Sequence, residues 1–513
     1  MKFLIYPSKS DFLECIKKGQ IPPIYKEIPY ADPQHIYSIL KDINTILFQS
    51  IKGPFNISRY SFICFQPYLI LKAENQYTII ESEFKKSISK KNPIVRLRQL
   101  VTAYPQKPSE DLPPFQGGAA GILSYDYVRY LEDVSSDRVK DTGTNLKDMS
   151  VPDAHFLMID RMISFDHKEK KTWIICCPGA RDYRFGFNEI DVDWGDKYIE
   201  TTDLINVFED IINKGLTPLV VQANQDLSIQ NNNIDIIYLT RRDQYIDMVK
   251  KTLEYIKAGD IFQANLSQRV CADIKDTDPW EIYKTLSRIN PSPFACYMDF
   301  GSYQIASSSP ERLVKVERAK NGGPSSVQTR PIAGTRPRGV TKDEDITMRE
   351  ELLLNEKERA EHIMLIDLER NDIGRVCQYG SVKVDELMLT ELYSHVIHIV
   401  SNVVGLLRHD KDCFDTLEAV FPGGTITGVP KVRCMEIIDE LEPASRGAYT
   451  GGAGYIGFSM DMDFNIIIRT FLIKDKMAYV QAGAGIVADS IPEAEYLETL
   501  KKAEALIKTL KTL

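Results

Sequence analysis

The chain has 513 residues, of which 43% are hydrophobic and 26% charged, which excludes a small stapled fold or a disordered chain and allows two to four domains or one large two-lobed body. Its 63 Lys and Arg stand against 72 Asp and Glu, a formal net charge of −9. Nucleic acid and anionic membranes are gripped through clustered cations, so neither is the expected partner, and a small-molecule enzyme is what remains.

The opening Met-Lys-Phe-Leu-Ile-Tyr-Pro is too short an apolar run for an export signal, and no stretch approaches the ~18 apolar residues of a membrane span. Cysteines stand at 15, 64, 176, 177, 271, 296, 377, 413 and 434, an odd set without a CxxC pair. They read as reduced core thiols of a cytoplasmic protein. Residues 1 to about 220 are rich in β-formers, with strands expected at 77–80, 173–177 and 217–222. The Asn-rich stretch 223–234 is the expected linker, dividing an N-terminal region, 1–234, from a second region, 235–513.

The second region opens with a helix at 242–258, closed by Gly259, and a strand-like run at 261–270. Further helices are expected at 343–371, 430–441 and 490–512, with strands at 395–405, 453–458, 464–473 and 477–482. The strands come in antiparallel-looking groups without strict βαβ alternation. An α+β fold follows, with large antiparallel sheets flanked by helices.

Three glycine-rich strings suggest nucleotide sites and fail on context. Gly452-Ala-Gly454-Tyr-Ile-Gly457 runs into a strand pattern instead of opening a helix. Gly483-Ala-Gly485-Ile-Val-Ala488 lies between a strand and the last helix, so no second strand completes the unit, and it reads as a close-approach loop. Phe421 to Lys431 resembles a phosphate loop, but Val432 follows Lys431 where a Ser or Thr would bind a metal.

The strongest constellation is a Glu-x-x-Glu step on each of two helices. Glu358 and Glu361 precede His362-Ile-Met-Leu-Ile-Asp367, a segment apolar almost all round and therefore expected to be buried. Glu495, Glu498 and Lys502 share a stripe, with Leu497, Leu500 and Ile507 roughly opposite. Acidic pairs at this spacing are common on exposed helices; four facing one another would repel unless a hard divalent cation such as Mg²⁺ lay between them. Arg330, Arg336 and Arg338 crowd one Pro- and Gly-containing loop, either a solvated turn or a positive field for an anionic substrate. Strand alternation puts His398 on the side of Val396 and Val400, where a lone His is more often a satisfied core residue.

Taken together, Gly259 to Arg269, Ser309-Pro-Glu311, the Arg-rich loop, Asp367-Leu-Glu-Arg-Asn-Asp372, the Gly-Gly-Thr loop and the final Glu-x-x-Glu helix resemble the chorismate-utilising enzymes, in order, over nearly all of 240–513. Phe115 to Asp126 resembles the N-terminal region of two members, the large subunits of anthranilate synthase and aminodeoxychorismate synthase. The resemblance implies that Glu361 and Glu498 bind Mg²⁺, that Glu358 and Glu495 complete the acidic shell and one of them supplies a proton, and that Arg469, Tyr449 and Lys502 contact the substrate carboxylates. Backbone N–H groups around Gly483 and Gly485 would join them, with Thr425 and His398 around the ring and leaving group.

Relatives that add water resemble this chain but carry a Lys base where Gln263 stands, and an amide cannot deprotonate water. Ammonia needs no such base. The chain has no Gly-x-Cys-x-Gly elbow, so a separate glutamine amidotransferase subunit is implied as the ammonia source. Ala333 stands where many aminodeoxychorismate synthases have a nucleophilic Lys, which favours anthranilate as product. Gln49, Phe294 and Ala295 lack the features of a tryptophan-regulated anthranilate enzyme, and Gly-Gly-Thr-Ile-Thr-Gly and Asp463-Phe-Asn-Ile look like the folate branch. The balance favours 4-amino-4-deoxychorismate, with anthranilate as the alternative and a non-catalytic chorismate-binding regulator as a third reading.

Overall fold

The computed structural model describes residues 4–83, 85–134, 150–186, 192–216, 234–319, 321–392 and 396–513. The strand expected at 217–222 and all of the expected linker except Ile234 lie outside them.

Two large sheets organise the described residues, one of 13 strands and one of 12, and their neighbouring strands run antiparallel. The first carries Tyr60–Cys64 and Thr45–Gln49 beside Phe294–Asp299, then continues through Gln304–Ser309, Thr470–Lys474 and Met477–Ile486 to Gln263–Asp273. The second runs from Ile332–Pro337 and Val396–Leu406 through Arg312–Glu317, Met462–Ile466 and Gly452–Gly457 to Gly118–Leu123 and Ala154–Ile159. Both sheets cross position 235, joined by Ala295 opposite Gln49 in one and Gly454 opposite Gly121 in the other.

Alternation along the strands gives each sheet two apolar faces to cover. Between the sheets, Ile46, Phe62, Met162 and Ile175 of the first meet Ile122, Leu157 and Tyr455 of the second, and the Phe62 and Tyr455 rings sit edge-on at 5.4 Å. Helices cover the other side, where Ile36, Ile205 and Phe208 join Ile28, Ile63 and Ile174 in one cluster. The result is a mixed α+β architecture of antiparallel sheets flanked by helices.

Several elements fall where the pattern puts them. The helix Arg242–Ala258 ends on Gly259 at φ 83, the left-handed cap that glycine adopts without strain. Others divide. The long helix expected at 343–371 is two, Lys342–Leu354 and Glu356–Gly374, because the Asn355 side chain accepts the Glu358 N–H and starts a new helix. The strand expected at 464–473 is also two, Met462–Ile466 in the second sheet and Thr470–Lys474 in the first. Between them the chain changes sheet, with Arg469 at the corner in a left-handed conformation, φ 53. Gly483 and Gly485 lie within the strand Met477–Ile486 and not in a loop.

Two amphipathic expectations fail. Leu497 is 63% exposed, because the C-terminal helix Pro492–Thr512 buries Thr499, Ala503, Leu506 and Leu510 instead. Ile363 is 49% exposed, so the helix carrying Glu358 and Glu361 is covered on one side only. All nine cysteines are free thiols, eight of them buried. Among the described residues no helix is long and apolar enough to cross a membrane.

Candidate active site

The strand Gln263–Asp273 pairs with Met477–Ile486 so that Asn265 lies opposite Gly485 and Ser267 opposite Gly483. Both glycines are needed for space. A Cβ at Gly485 would stand 2.6 Å from Gln263 Nε2, and one at Gly483 would meet Asn265 Oδ1 at 2.4 Å and the Tyr449 hydroxyl at 2.9 Å. The helix Glu356–Gly374 approaches this floor from one side, and Gln263 Nε2 donates to Glu361 Oε1 at 3.2 Å. The C-terminal helix approaches from the other, and Lys502 pairs with Glu498 at 2.7 Å while donating to the Gly483 carbonyl at 3.1 Å.

The acidic groups sense one another. Burial, and then the Glu358 charge, raise the Glu361 carboxyl above its ordinary range, with Glu498 adding and Lys502 opposing. Burial raises Glu495 as well, with Glu498 contributing. Glu358 is held by Arg336 at 3.2 Å. Among the described residues no three such side chains gather at metal-binding distance. Hard carboxylate oxygens in mutual repulsion nevertheless suit Mg²⁺ in donor chemistry, and the Lys502 charge acts on Glu361 and Glu495 while pairing with Glu498.

The opposite wall is built from turns. Thr425, in the turn Gly424–Ile426, donates to Glu311 Oε1 at 2.7 Å. Glu311 is 6% exposed, and burial pushes its carboxyl up to about 7, against the pull of Thr425 and Lys502. His398 Nδ1 lies 3.0 Å from the Gly334 carbonyl and 3.1 Å from the Thr335 hydroxyl, and burial lowers its pKa to about 4, so the ring is neutral at pH 7. The Nδ1 proton is assigned to the Gly334 side on that carbonyl contact. Burial also keeps the Tyr449 hydroxyl protonated. Arg469 has neither a hydrogen bond nor an ion pair through its guanidinium among the described residues, although burial disfavours its charge and Tyr449 and Glu498 lie within electrostatic reach. An unpaired cation in such a place is suited to an incoming carboxylate.

The Arg-rich segment borders the site through the Gly334 carbonyl and Thr335 hydroxyl on His398 and through Arg336 on Glu358, but its guanidinium groups are taken up in ion pairs. Arg330 pairs with Glu386 at 2.6 Å and Glu391 at 2.5 Å, Arg336 with Glu351 at 3.0 Å as well as with Glu358, and Arg338 with Asp345 at 2.5 Å. The segment is the strand Ile332–Pro337 and its flanks, and its positive field is consumed internally. Lys431 pairs with Asp372 at 2.6 Å, which leaves it no phosphate-binding role. Glu311 is the site residue that pattern reading left without a role. Its signal was an acidic residue set between the strands Gln304–Ser309 and Arg312–Glu317, both largely buried.

A separate cavity of about 420 Å³ lies between the sheets, lined by Phe48, Gln49, Tyr60, Phe294, Tyr455 and Asn465 among others. Gln49 Oε1 accepts from the Tyr283 hydroxyl at 2.8 Å and from Gln34 Nε2 at 3.0 Å. Both lone pairs of its acceptor oxygen are thereby occupied.

The family model described as chorismate binding enzyme matches residues 44–508. The chain is 39% identical over 496 residues to aminodeoxychorismate synthase component 1 of Bacillus subtilis (strain 168), covering 96% of this chain and 98% of that protein. It is 40% identical over 515 residues to anthranilate synthase component 1 of Acetivibrio thermocellus, covering 99% of each. The crystal structure of anthranilate synthase component I from Streptococcus pneumoniae TIGR4 superposes with a TM-score of 0.71 at 33% identity, covering 93% of this chain and 97% of that one.

Proposed function

The chain belongs to the chorismate-binding enzyme family, and we propose that it is the ammonia-using component of a two-component synthase, converting chorismate to 4-amino-4-deoxychorismate. Gln263 carries this reading. Its amide is tied to Glu361, and an amide is no base for water, whereas ammonia brings its own lone pair. The ammonia would come from a separate glutamine amidotransferase subunit, in keeping with relatives named component 1. Nine free thiols fit a reducing compartment, the cytoplasm.

Chorismate presents two carboxylates, a ring hydroxyl and an enolpyruvyl ether. Arg469 and Lys502 receive the carboxylates, Tyr449 donates to one of them, and neutral His398 lies along the ring. During the substitution the C–O bond to the ring hydroxyl breaks and a C–N bond to ammonia forms. The departing oxygen takes a proton and leaves as water, and the nitrogen sheds one proton as it becomes an amine. Glu311 is the acid best matched to this duty, since a carboxyl with its pKa near 7 both holds and yields a proton at neutral pH. Thr425 fixes its orientation. Glu361 and Glu498, with Glu358 and Glu495 beside them, would hold Mg²⁺, which when bound offsets their repulsion and polarises a substrate oxygen.

Gln49 supports the folate-branch product. The ammonium of a tryptophan effector needs an acceptor, and Gln49 has spent its own on Tyr283 and Gln34. Ala333 favours the second reading, anthranilate, because it supplies no amine for covalent attack on the ring from the strand Ile332–Pro337. The amination reading is tested by supplying the purified chain with chorismate, Mg²⁺ and ammonium at alkaline pH. Chorismate is expected to disappear with ammonium and to persist when glutamine replaces it; glutamine-dependent turnover by the single chain contradicts the separate-subunit assignment.

A further inference from the structure

Behind the candidate active site lies an ion pair with almost no exposure. The Glu442 and Arg446 side chains are 2% and 1% exposed and bond through Arg446 Nη2 at 2.7 Å and Nε at 3.0 Å. Sequestering two charges so completely adds little net stability, because the desolvation cost rivals the attraction. The rest of the guanidinium is fully used. Arg446 Nη1 donates to the Ile426 carbonyl at 2.8 Å, and Nη2 donates to the Asn265 carbonyl at 2.6 Å. Glu442 Oε1 in turn accepts the Ser267 N–H at 2.9 Å and its hydroxyl at 2.8 Å.

The two carbonyls that Arg446 holds lie on backbone beside residues of the site. Ile426 follows Thr425, Asn265 stands two residues from Gln263 on the same strand, and the Tyr449 N–H donates to the Arg446 carbonyl at 3.1 Å. The Tyr125 ring, contributed by the first region of the chain, covers the guanidinium at 4.9 Å. No Arg446 contact reaches Glu311, Glu361, Glu498 or Lys502 directly.

We propose that Arg446 is a positioning residue for the reaction, locking the Thr425 turn to the Gln263 strand so that the Thr425 hydroxyl stays on Glu311. This rests on the assignment of Glu311 as the acid. Only a planar fork of donors reaches both carbonyls and Glu442 at once, so Lys is not an equivalent. The groups around Glu311 are the Thr425 hydroxyl, Lys502 of the C-terminal helix and Glu369 of the helix Glu356–Gly374, while Arg312 turns away to Asp463 at 2.9 Å. Around Arg446 they are Glu442, Tyr125 and Tyr449. Of these, the Thr425 bond is the one Arg446 controls, and it favours the ionised form of Glu311.

The test is the pH profile of kcat in Arg446→Lys, Thr425→Val and the double variant, with melting temperature followed in parallel. In Arg446→Lys, kcat is expected to fall at least tenfold, KM for chorismate to change less than twofold, and the alkaline limb of kcat to move upward. Thr425→Val should move the limb the same way, and the double variant should be no worse than the poorer single one, because both act through one bond. If Arg446→Lys does not fold, Glu442→Gln decides, since it loosens the guanidinium and leaves both carbonyls in place; a smaller shift in the same direction is expected. A folded Arg446 or Glu442 variant with an unmoved limb, or effects that multiply, overturns the proposal. Near-normal turnover by Glu311→Gln would instead overturn the acid assignment beneath it.

Discussion

The Thr425 hydroxyl donates to Glu311 Oε1 at 2.7 Å, joining a tight turn after one buried helix to the edge of a strand more than a hundred positions earlier. Burial raises the Glu311 carboxyl to about 7 against the pull of that bond, so a proton is available near neutrality. Both stand in strings that the sequence singles out, but the bond between them exists only through the fold.

Replacement of Glu311 by Gln keeps the shape and the acceptor for Thr425 but removes the acidic proton. Turnover should fall by roughly a hundredfold or more, the usual contribution of a positioned acid. Near-wild-type rates in a continuous chorismate assay would transfer the acid role to another carboxyl.

The same variant should change stability with pH. The folded carboxyl is raised from 4.5 to about 7, so its stabilising contribution is fully present below the unfolded value and is lost as pH rises through the folded one. The difference amounts to about 3 kcal/mol at pH 8. Glu311→Gln should therefore melt above the wild type at pH 8, with most of the gap closed at pH 5. A constant gap across that range would show that Glu311 is not protonated in the folded protein.

How much of this was legible from residues alone depends on reach. Periodicity placed helices at 242–258 and 430–441, where Arg242–Ala258 and Lys431–Leu441 stand, and the paired Glu steps singled out carboxylates whose charges act on one another, because each is written within a few turns of chain. The sheet change at Ile467–Arg469 was not legible, since Phe-Asn-Ile-Ile-Ile-Arg-Thr-Phe reads as one apolar strand until two different partners claim its halves. The arginines at 330, 336 and 338 looked available because Glu386, Glu391, Glu351 and Asp345 lie on other elements. Leu497 looked buried because the stripe was anchored on it, while the helix is seated through Thr499, Ala503 and Leu506.

Glu498 tests the acidic wall. Its side chain is half exposed and its pairing with Lys502 is a surface ion pair, worth about 1 kcal/mol or less. Glu498→Gln should abolish turnover while leaving the melting temperature almost unchanged. Retained activity would remove Glu498 from the proposed Mg²⁺ ligands.

Tryptophan should inhibit poorly. In the cavity of about 420 Å³, the Gln49 acceptor is already taken by Tyr283 and Gln34, whereas an ammonium requires a free one. Titration of the purified chain with tryptophan, read by calorimetry and by initial rate, should give weak binding and little inhibition. Tight, inhibitory binding would show that another lining group, such as Asn465, supplies the acceptor.

Product identity is the most direct test of the central claim. The chain is incubated with chorismate, Mg²⁺ and ammonia, with and without a lyase that releases 4-aminobenzoate from 4-amino-4-deoxychorismate. 4-Aminobenzoate is expected only when the lyase is added, with no anthranilate fluorescence in its absence. Anthranilate fluorescence without the lyase, and no 4-aminobenzoate with it, would contradict the assigned product and move the chain to the tryptophan branch.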